Sequence, residues 1–471
     1  MQVLNRLTLA FIALAPVASA LQASNFNVSA EVAEASGCGS ECYRIMQIAN
    51  QADLATVNTN YGFDFDFYAT ASNFSVSSPG DLLKLQPLDP ASHDTTDGTT
   101  AYRFQYTSKD LDDTIVPVTG FIAFPWTPLT HDQKFPLVAY AHGTIGVYRG
   151  CAPSAGPALF DYGTWAPIVS RGYAVVATDY AGLGNNYTTH KYCSFPAHVN
   201  DLYYSVIAAR KAFGHILSEE WMSVGHSQGG GAVWKLAESK FVQTAVNGAG
   251  RYLGTVAISP ATRILDMYRE YARELSANTS KFRPYVIAAE LPSFSIGLSR
   301  VLPNYDFGML GKTLKQRLGL MDEAQSCTNA MMGMTLDLNI EDLINPEGGE
   351  DERIQKWQQD TAPGSGRSQQ PLLVIQGLGD TGILPSITRK TWERSCRNGN
   401  EVHLREYDGV EHSPTPPTSA PEWLAWMGEI FAGKNSSCGC DLTKRSSMDM
   451  AHVKSPPEFD YAELGITFPT N

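Results

Sequence analysis

The 471-residue chain predicts an α/β fold: a mostly parallel sheet with helices on both faces. Three observations carry that prediction. Short continuous apolar runs, among them 136–141, 173–178 and 372–375, read as strands buried on both faces. Stretches with apolar residues at helical spacing alternate with these runs, and strand, helix, strand in regular order implies parallel pairing. The alternation lapses from Pro260 to Gln370, a length at which an inserted, mainly helical subdomain is expected rather than a loop.

In chain order, Arg6, the apolar stretch Leu7 to Leu14 and the small residues Ala18-Ser19-Ala20 predict a secretory signal peptide over 1–20. No later stretch reaches the ~18 to 20 apolar residues that cross a bilayer. Residues 21–100 form an N-terminal extension packing on the core, with a helix-like patch at Cys42 to Val57 and a polar loop from Pro90 to Thr100. The first part of the core, 101–259, opens with alternating Tyr102, Phe104 and Tyr106 and then Val116 to Phe124, as antiparallel edge strands do. A buried strand follows and stops at His142-Gly143-Thr144. Then come a helical stretch near Phe160 to Arg171, a strand from Tyr173, a helix from Asn200 to Phe213, a strand ending at Ser227, and another at Gly254 to Ile258.

The insertion, 260–370, holds a helix-like Arg263 to Leu275, the apolar run Tyr285 to Ala289, Phe294, Ile296 and Leu298, and the methionines Met331, Met332 and Met334. These fit either the inner face of a lid that binds an acyl chain or the insertion's own small core, and periodicity does not choose between them. The second part of the core, 371–433, has a strand at Leu372 to Ile375, a turn through Asp380, and a helix near Pro385. A last strand at Val402 to Tyr407, a loop through His412, and a closing helix at Glu422 to Phe431 complete it. The tail, 434–471, is polar and proline-bearing, either a flap over the site or disordered.

With 48 acidic and 35 basic residues, the chain lacks the positive face that a nucleic-acid partner requires. Eight cysteines, Cys38, Cys42, Cys151, Cys193, Cys327, Cys396, Cys438 and Cys440, are read as disulfide formers in a secreted, extracellular protein, with the pairing open. Neither close pair has a second Cys or His pair at zinc spacing, so no metal site is expected. Asn27, Asn73, Asn186, Asn278 and Asn435 each begin an N-x-Ser/Thr sequon, the acceptor for surface glycosylation.

The chemistry centres on Gly225-His226-Ser227-Gln228-Gly229. An apolar run breaking into glycines around one serine reads as a strained strand-to-helix turn that lifts Ser227 to its tip. A serine hydroxyl needs an imidazole to take its proton and a carboxylate to orient that imidazole. In the α/β-hydrolase arrangement these follow in the order Ser, acid, His, each on a loop after a strand, and Ser227, Asp380 and His412 satisfy it. Among other histidines, His226 adjoins the serine, where a sharp turn is expected to send its side chain elsewhere. His403 sits inside a strand, and His190, His198 and His215 precede the serine. Asp408 and Glu411 lie too near His412 to supply a carboxylate from a separate loop, whereas Asp380 as a mere turn residue is the bland alternative. Backbone donors for an oxyanion are expected from Gln228, at a helix start, and from Gly143 and Thr144 after the earlier buried strand.

Ala141-His142-Gly143-Thr144, Cys151-Ala152-Pro153-Ser154, Gly225 to Gly230, Gly379-Asp380 and His412 together resemble the secretory lipase family of α/β hydrolases. That family includes fungal secreted A-type lipases and related bacterial lipase-like esterases. The resemblance covers about Tyr102 to Gly433 and implies cofactor-free hydrolysis of small-molecule or lipid esters, with transient contact at a lipid interface. It departs from the yeast enzymes at His226 and Gln228, which points toward the esterase-like branch. The alternatives are a tailoring deacetylase or acyltransferase acting on a specific metabolite, and a non-catalytic interaction protein on a hydrolase fold.

Overall fold

The computed structural model describes residues 21–244, 248–276, 289–434 and 439–454. The signal-peptide segment, the run 285–288, the sequons at Asn278 and Asn435, Cys438 and the tail from residue 455 lie outside the described residues.

Among the described residues ten strands form one sheet: β1 (Leu82–Pro87), β2 (Thr100–Lys109), β3 (Ile115–Phe124), β4 (Phe135–Ala141), β5 (Ala174–Thr178), β6 (Leu217–His226), β7 (Arg251–Ile258), β8 (Leu372–Gly377), β9 (Val402–Tyr407) and β10 (Asp441–Arg445). Their spatial order is β1-β2-β3-β5-β4-β6-β7-β8-β9-β10. β1, β2, β3 and β5 pair antiparallel along one side, and every pairing from β5 through β4 to β10 is parallel. This is the α/β-hydrolase fold. The parallel strands lack the in-out polar alternation of a one-sided sheet because both faces are covered. Leu137 and Ala139 of β4 face one apolar cluster, and Val138 and Tyr140 face the other. The helices Phe195–Phe213 and Gln228–Ala237 pack on the first face, and Ala166–Ser170 and Thr415–Phe431 on the second.

Several boundaries differ from the sequence reading. The helix expected over 160–171 is only Ala166–Ser170, because Leu159 and Phe160 both take positive φ (51° and 54°) and turn the chain first. The helix expected from Asn200 starts at Phe195; buried His198 interrupts the apolar spacing that would have revealed it. The closing helix spans Thr415–Phe431, not Glu422 onward: Pro416 and Pro417 in its first turn surrender only amides that have no intrahelical acceptor, and the helix also runs through Pro421 in its interior. The Val402–Tyr407 strand is not the last: β10 adds to it in parallel.

The insertion contains the helices Ile264–Ser276, Leu291–Ser299, Lys312–Ala324, Thr328–Gly333, Ile340–Leu343 and Glu352–Thr361. The N-terminal extension holds it. The N-terminal helix Ser40–Val57 packs against Thr328–Gly333, where Gly333 lacks the side chain that would press on Ile45 and Ala49. Asp53, buried, accepts the amides of Asn329 (3.0 Å) and Ala330 (2.9 Å) and the side-chain amide of Asn25 (2.8 Å). Disulfides join Cys38 to Cys42, Cys151 to Cys327 and Cys396 to Cys440, while Cys193 is a buried free thiol. Asn27, Asn73 and Asn186 are all exposed. No described helix is long and apolar enough to cross a membrane.

Candidate functional site

β6 ends at His226 and the helix Gln228–Ala237 begins one residue later, leaving Ser227 alone at the turn with φ 57° and ψ −119°. A non-glycine residue there is strained, and its surroundings must hold it. The Ser227 amide donates to the Ile258 carbonyl (2.9 Å), while its own carbonyl accepts from Gly231 (3.1 Å) and Ala261 (2.9 Å). The flanking glycines are sterically required. A Cβ on Gly225 would lie 2.3 Å from the Gly229 carbonyl oxygen, and one on Gly229 would lie 1.9 Å from that of Ala141. Gly229→Ala should therefore push the helix start off β4, costing about 1–3 kcal/mol as overpacking does, with a Tm drop in thermal melts and a fall in activity that exceeds it in proportion.

Asp380 lies beyond β8 and His412 beyond β9, so both loops open at the carboxyl ends of their strands beside Ser227. His412 Nδ1 is 2.8 Å from Asp380 Oδ2. The carboxylate is itself fixed, Oδ1 accepting the amides of Gly382 (2.9 Å) and Ile383 (2.7 Å) and Oδ2 the side-chain amide of Gln376 (3.1 Å). Burial works against an imidazolium at His412, but the Asp380 charge and hydrogen bond, together with the charges of Glu290 and Glu411, outweigh it and raise its pKa. Asp380 is thus a turn residue and a histidine partner at once. Of the rejected bases, His403 lies in β9 beside Asp441 and Glu401.

His226 departs from expectation. Its ring is not turned away but lies 4.6 Å from that of His412, with Nδ1 3.0 Å from the Tyr162 hydroxyl. Burial and the neighbouring His412 lower its pKa well below the usual range, so it stays neutral.

Gly143 lies against the serine: a Cβ there would be 3.4 Å from Ser227 Cβ and 2.7 Å from the Tyr162 hydroxyl. The Thr144 hydroxyl bonds that of Tyr192 (2.7 Å). Gln228 is the first helical residue, where amides have no intrahelical acceptor. Its side chain is locked from behind, Nε2 lying 3.0 Å from His190 Nε2 and 3.1 Å from His198 Nε2. Burial lowers both histidines, His198 to about 3, so the neutral rings can accept from the amide. His142, Tyr180, His198 and His190 continue as a stack beneath the turn, with ring separations of 4.3, 4.5 and 5.1 Å. Sequence reasoning missed this stack because its members come from separate segments with no shared spacing.

Ser227 and His412 open into a cavity of about 1040 Å³. Ile45 and Ala49 from the N-terminal helix, Met267, Leu291, Phe294 and Met332 from the insertion, and Ser447 and Met450 beyond β10 contribute to its walls. The insertion's apolar residues divide: Phe294 and Met332 line the cavity, while Met331, Met334 and Leu298 are packed in the core. Among the described residues no cluster of His, Cys, Asp and Glu is arranged to hold a metal ion.

No family model matches the chain. Lipase 10 of Candida albicans is 24% identical over 417 residues, spanning 81% of this chain and 83% of that protein. Candida antarctica lipase A superposes with a TM-score of 0.62 at 14% identity, covering 83% of this chain and 90% of that one. The rice cell wall degrading esterase of Xanthomonas oryzae does so with a TM-score of 0.56 at 16% identity, covering 76% and 97%. In sequence the chain is similar to a fungal lipase, and it shares the α/β-hydrolase fold of Candida antarctica lipase A and the Xanthomonas oryzae esterase.

Proposed function

We propose that this carboxylic ester hydrolase is a secreted enzyme that works through an acyl-enzyme on Ser227. The observation that carries the reading is the strained Ser227 turn opening into the same cavity as the buried Asp380–His412 pair. In this mechanism the Nδ1–H of His412 donates to Asp380, which fixes the tautomer and leaves Nε2 free to accept the Ser227 proton. Ser227 Oγ then attacks the ester carbonyl. The tetrahedral oxyanion is received by the amide of Gln228 and by an amide of Gly143 or Thr144. His412 returns the proton to the leaving alcohol, and water attacks the acyl-enzyme by the same route. Cofactors have no part in this sequence.

Secretion is supported by the signal-peptide pattern, the three disulfides and the exposed Asn27, Asn73 and Asn186. A fluorophosphonate ester should modify the native protein at a single residue, Ser227, as read by intact mass and peptide mapping. Ser227→Ala should take up none. Equal labelling of that variant would exclude Ser227 as nucleophile.

A further inference from the structure

One wall of the cavity carries a carboxylate that the mechanism does not use. Glu290 lines the same cavity as Ser227 and His412, close enough to His412 and Tyr192 for their charges to interact. It precedes the helix Leu291–Ser299 in the capping position, yet its side chain makes no capping bond. Among the described residues its Oε2 is buried and has no hydrogen-bond partner. The hydroxyls of Ser293 and Thr328 stand near enough to favour the Glu290 carboxylate as donors, although neither meets the geometry of a full hydrogen bond to it. Ser293 donates to Met331 Sδ at 3.3 Å, and Thr328 Oγ1, among the described residues, is likewise buried without a hydrogen-bond partner of full geometry while Thr328 lines the cavity. A buried polar atom left unpaired is costly and calls for an explanation in what it binds.

We propose that Glu290 and Thr328 form a specificity subsite for a free hydroxyl carried by the ester substrate. A hydroxyl matches the pair because it both donates and accepts: its proton goes to Glu290 Oε2, and its oxygen takes the proton of Thr328 Oγ1. A plain hydrocarbon chain would leave both groups desolvated and unmet, which is how a site built for a hydroxyl rejects the analogue lacking it. Burial also pushes the Glu290 carboxyl up to about 7, and either protonation state retains an acceptor oxygen. The proposal deepens the reading of Ser227 as nucleophile and rests on it for turnover but not for binding.

Two substrate pairs distinguish which side of the ester bears the hydroxyl: 4-nitrophenyl 3-hydroxybutyrate against 4-nitrophenyl butyrate, and 2-hydroxyethyl butyrate against ethyl butyrate. In one pair the native enzyme should favour the hydroxylated member in kcat/KM. Glu290→Leu should cut that ratio about tenfold to a hundredfold, the range for a hydrogen bond to a charged group, and Thr328→Val should cut it less. Because Glu290→Leu removes a carboxylate with a buried oxygen that lacks a partner among the described residues, its Tm should hold or rise. Calorimetry on Ser227→Ala, with and without Glu290→Leu, reads the same preference without chemistry. A binding preference lost on Glu290→Leu would uphold the subsite even if no ester were hydrolysed, in which case only the nucleophile assignment falls. Ratios that neither variant changes in either pair, or a lowered Tm for Glu290→Leu with equal losses on both members, would overturn the subsite.

Discussion

Asp380→Asn should lower kcat for a 4-nitrophenyl ester by about ten-thousandfold at neutral pH, the loss that follows when a triad histidine is left in the wrong tautomer. At 1.36 kcal/mol per decade this is about 5 kcal/mol of transition-state stabilisation. The local hydrogen bonds explain why an isosteric change is so damaging. Asp380 Oδ1 accepts two backbone amides, from Gly382 and Ile383, so an asparagine must keep its carbonyl oxygen there. Its NH2 then occupies the Oδ2 place and points a donor at His412 Nδ1, which in the native protein is itself the donor. The imidazole is driven to carry its proton on Nε2 and can no longer accept from Ser227. The same NH2 also faces the donor Nε2 of Gln376, so a modest Tm loss should accompany the kinetic one. A variant within tenfold of native kcat would remove Asp380 from the proposed machinery.

The serine, the carboxylate and the histidine were legible for a shared physical reason. Each follows an apolar run that must be a doubly buried strand, and glycines break the run where the backbone turns sharply. The parallel core is legible for the same reason. Features that depend on contacts between distant segments were not. β10 reads as Asp441-Leu442-Thr443-Lys444-Arg445, a charged pentapeptide with little strand character of its own. It is a strand because β9 offers a free edge and because Asp441 and Arg445 meet Arg405 and Glu422. His226 was set aside on the expectation that a sharp turn sends the preceding side chain away, but in this turn that side chain packs against the His412 ring. Glu290 carries no local signal: only the fold brings its carboxylate to the wall of the cavity that Ser227 faces.

Removing the Cys151–Cys327 disulfide, as Cys151→Ala with Cys327→Ala, should destabilise the protein far more than removing Cys38–Cys42. The two bridges close chain segments of 176 and 4 residues. Loop-closure entropy then assigns them roughly 5 and roughly 2 kcal/mol, a gap that thermal melts should resolve as several degrees in Tm. The longer bridge also has a local role. Cys327 immediately precedes the helix Thr328–Gly333, the Thr328 amide donates to the Ile145 carbonyl (2.9 Å), and Cys327 forms a β-bridge with Gly146. The disulfide thus ties the insertion to the loop that carries Gly143 and Thr144. Without it the cavity wall bearing Thr328 and Met332 is held chiefly by the N-terminal helix through Asp53, so KM should rise more than kcat falls. Equal Tm losses for the two double variants would show that local native contacts, rather than closure of the long loop, set the worth of these bridges.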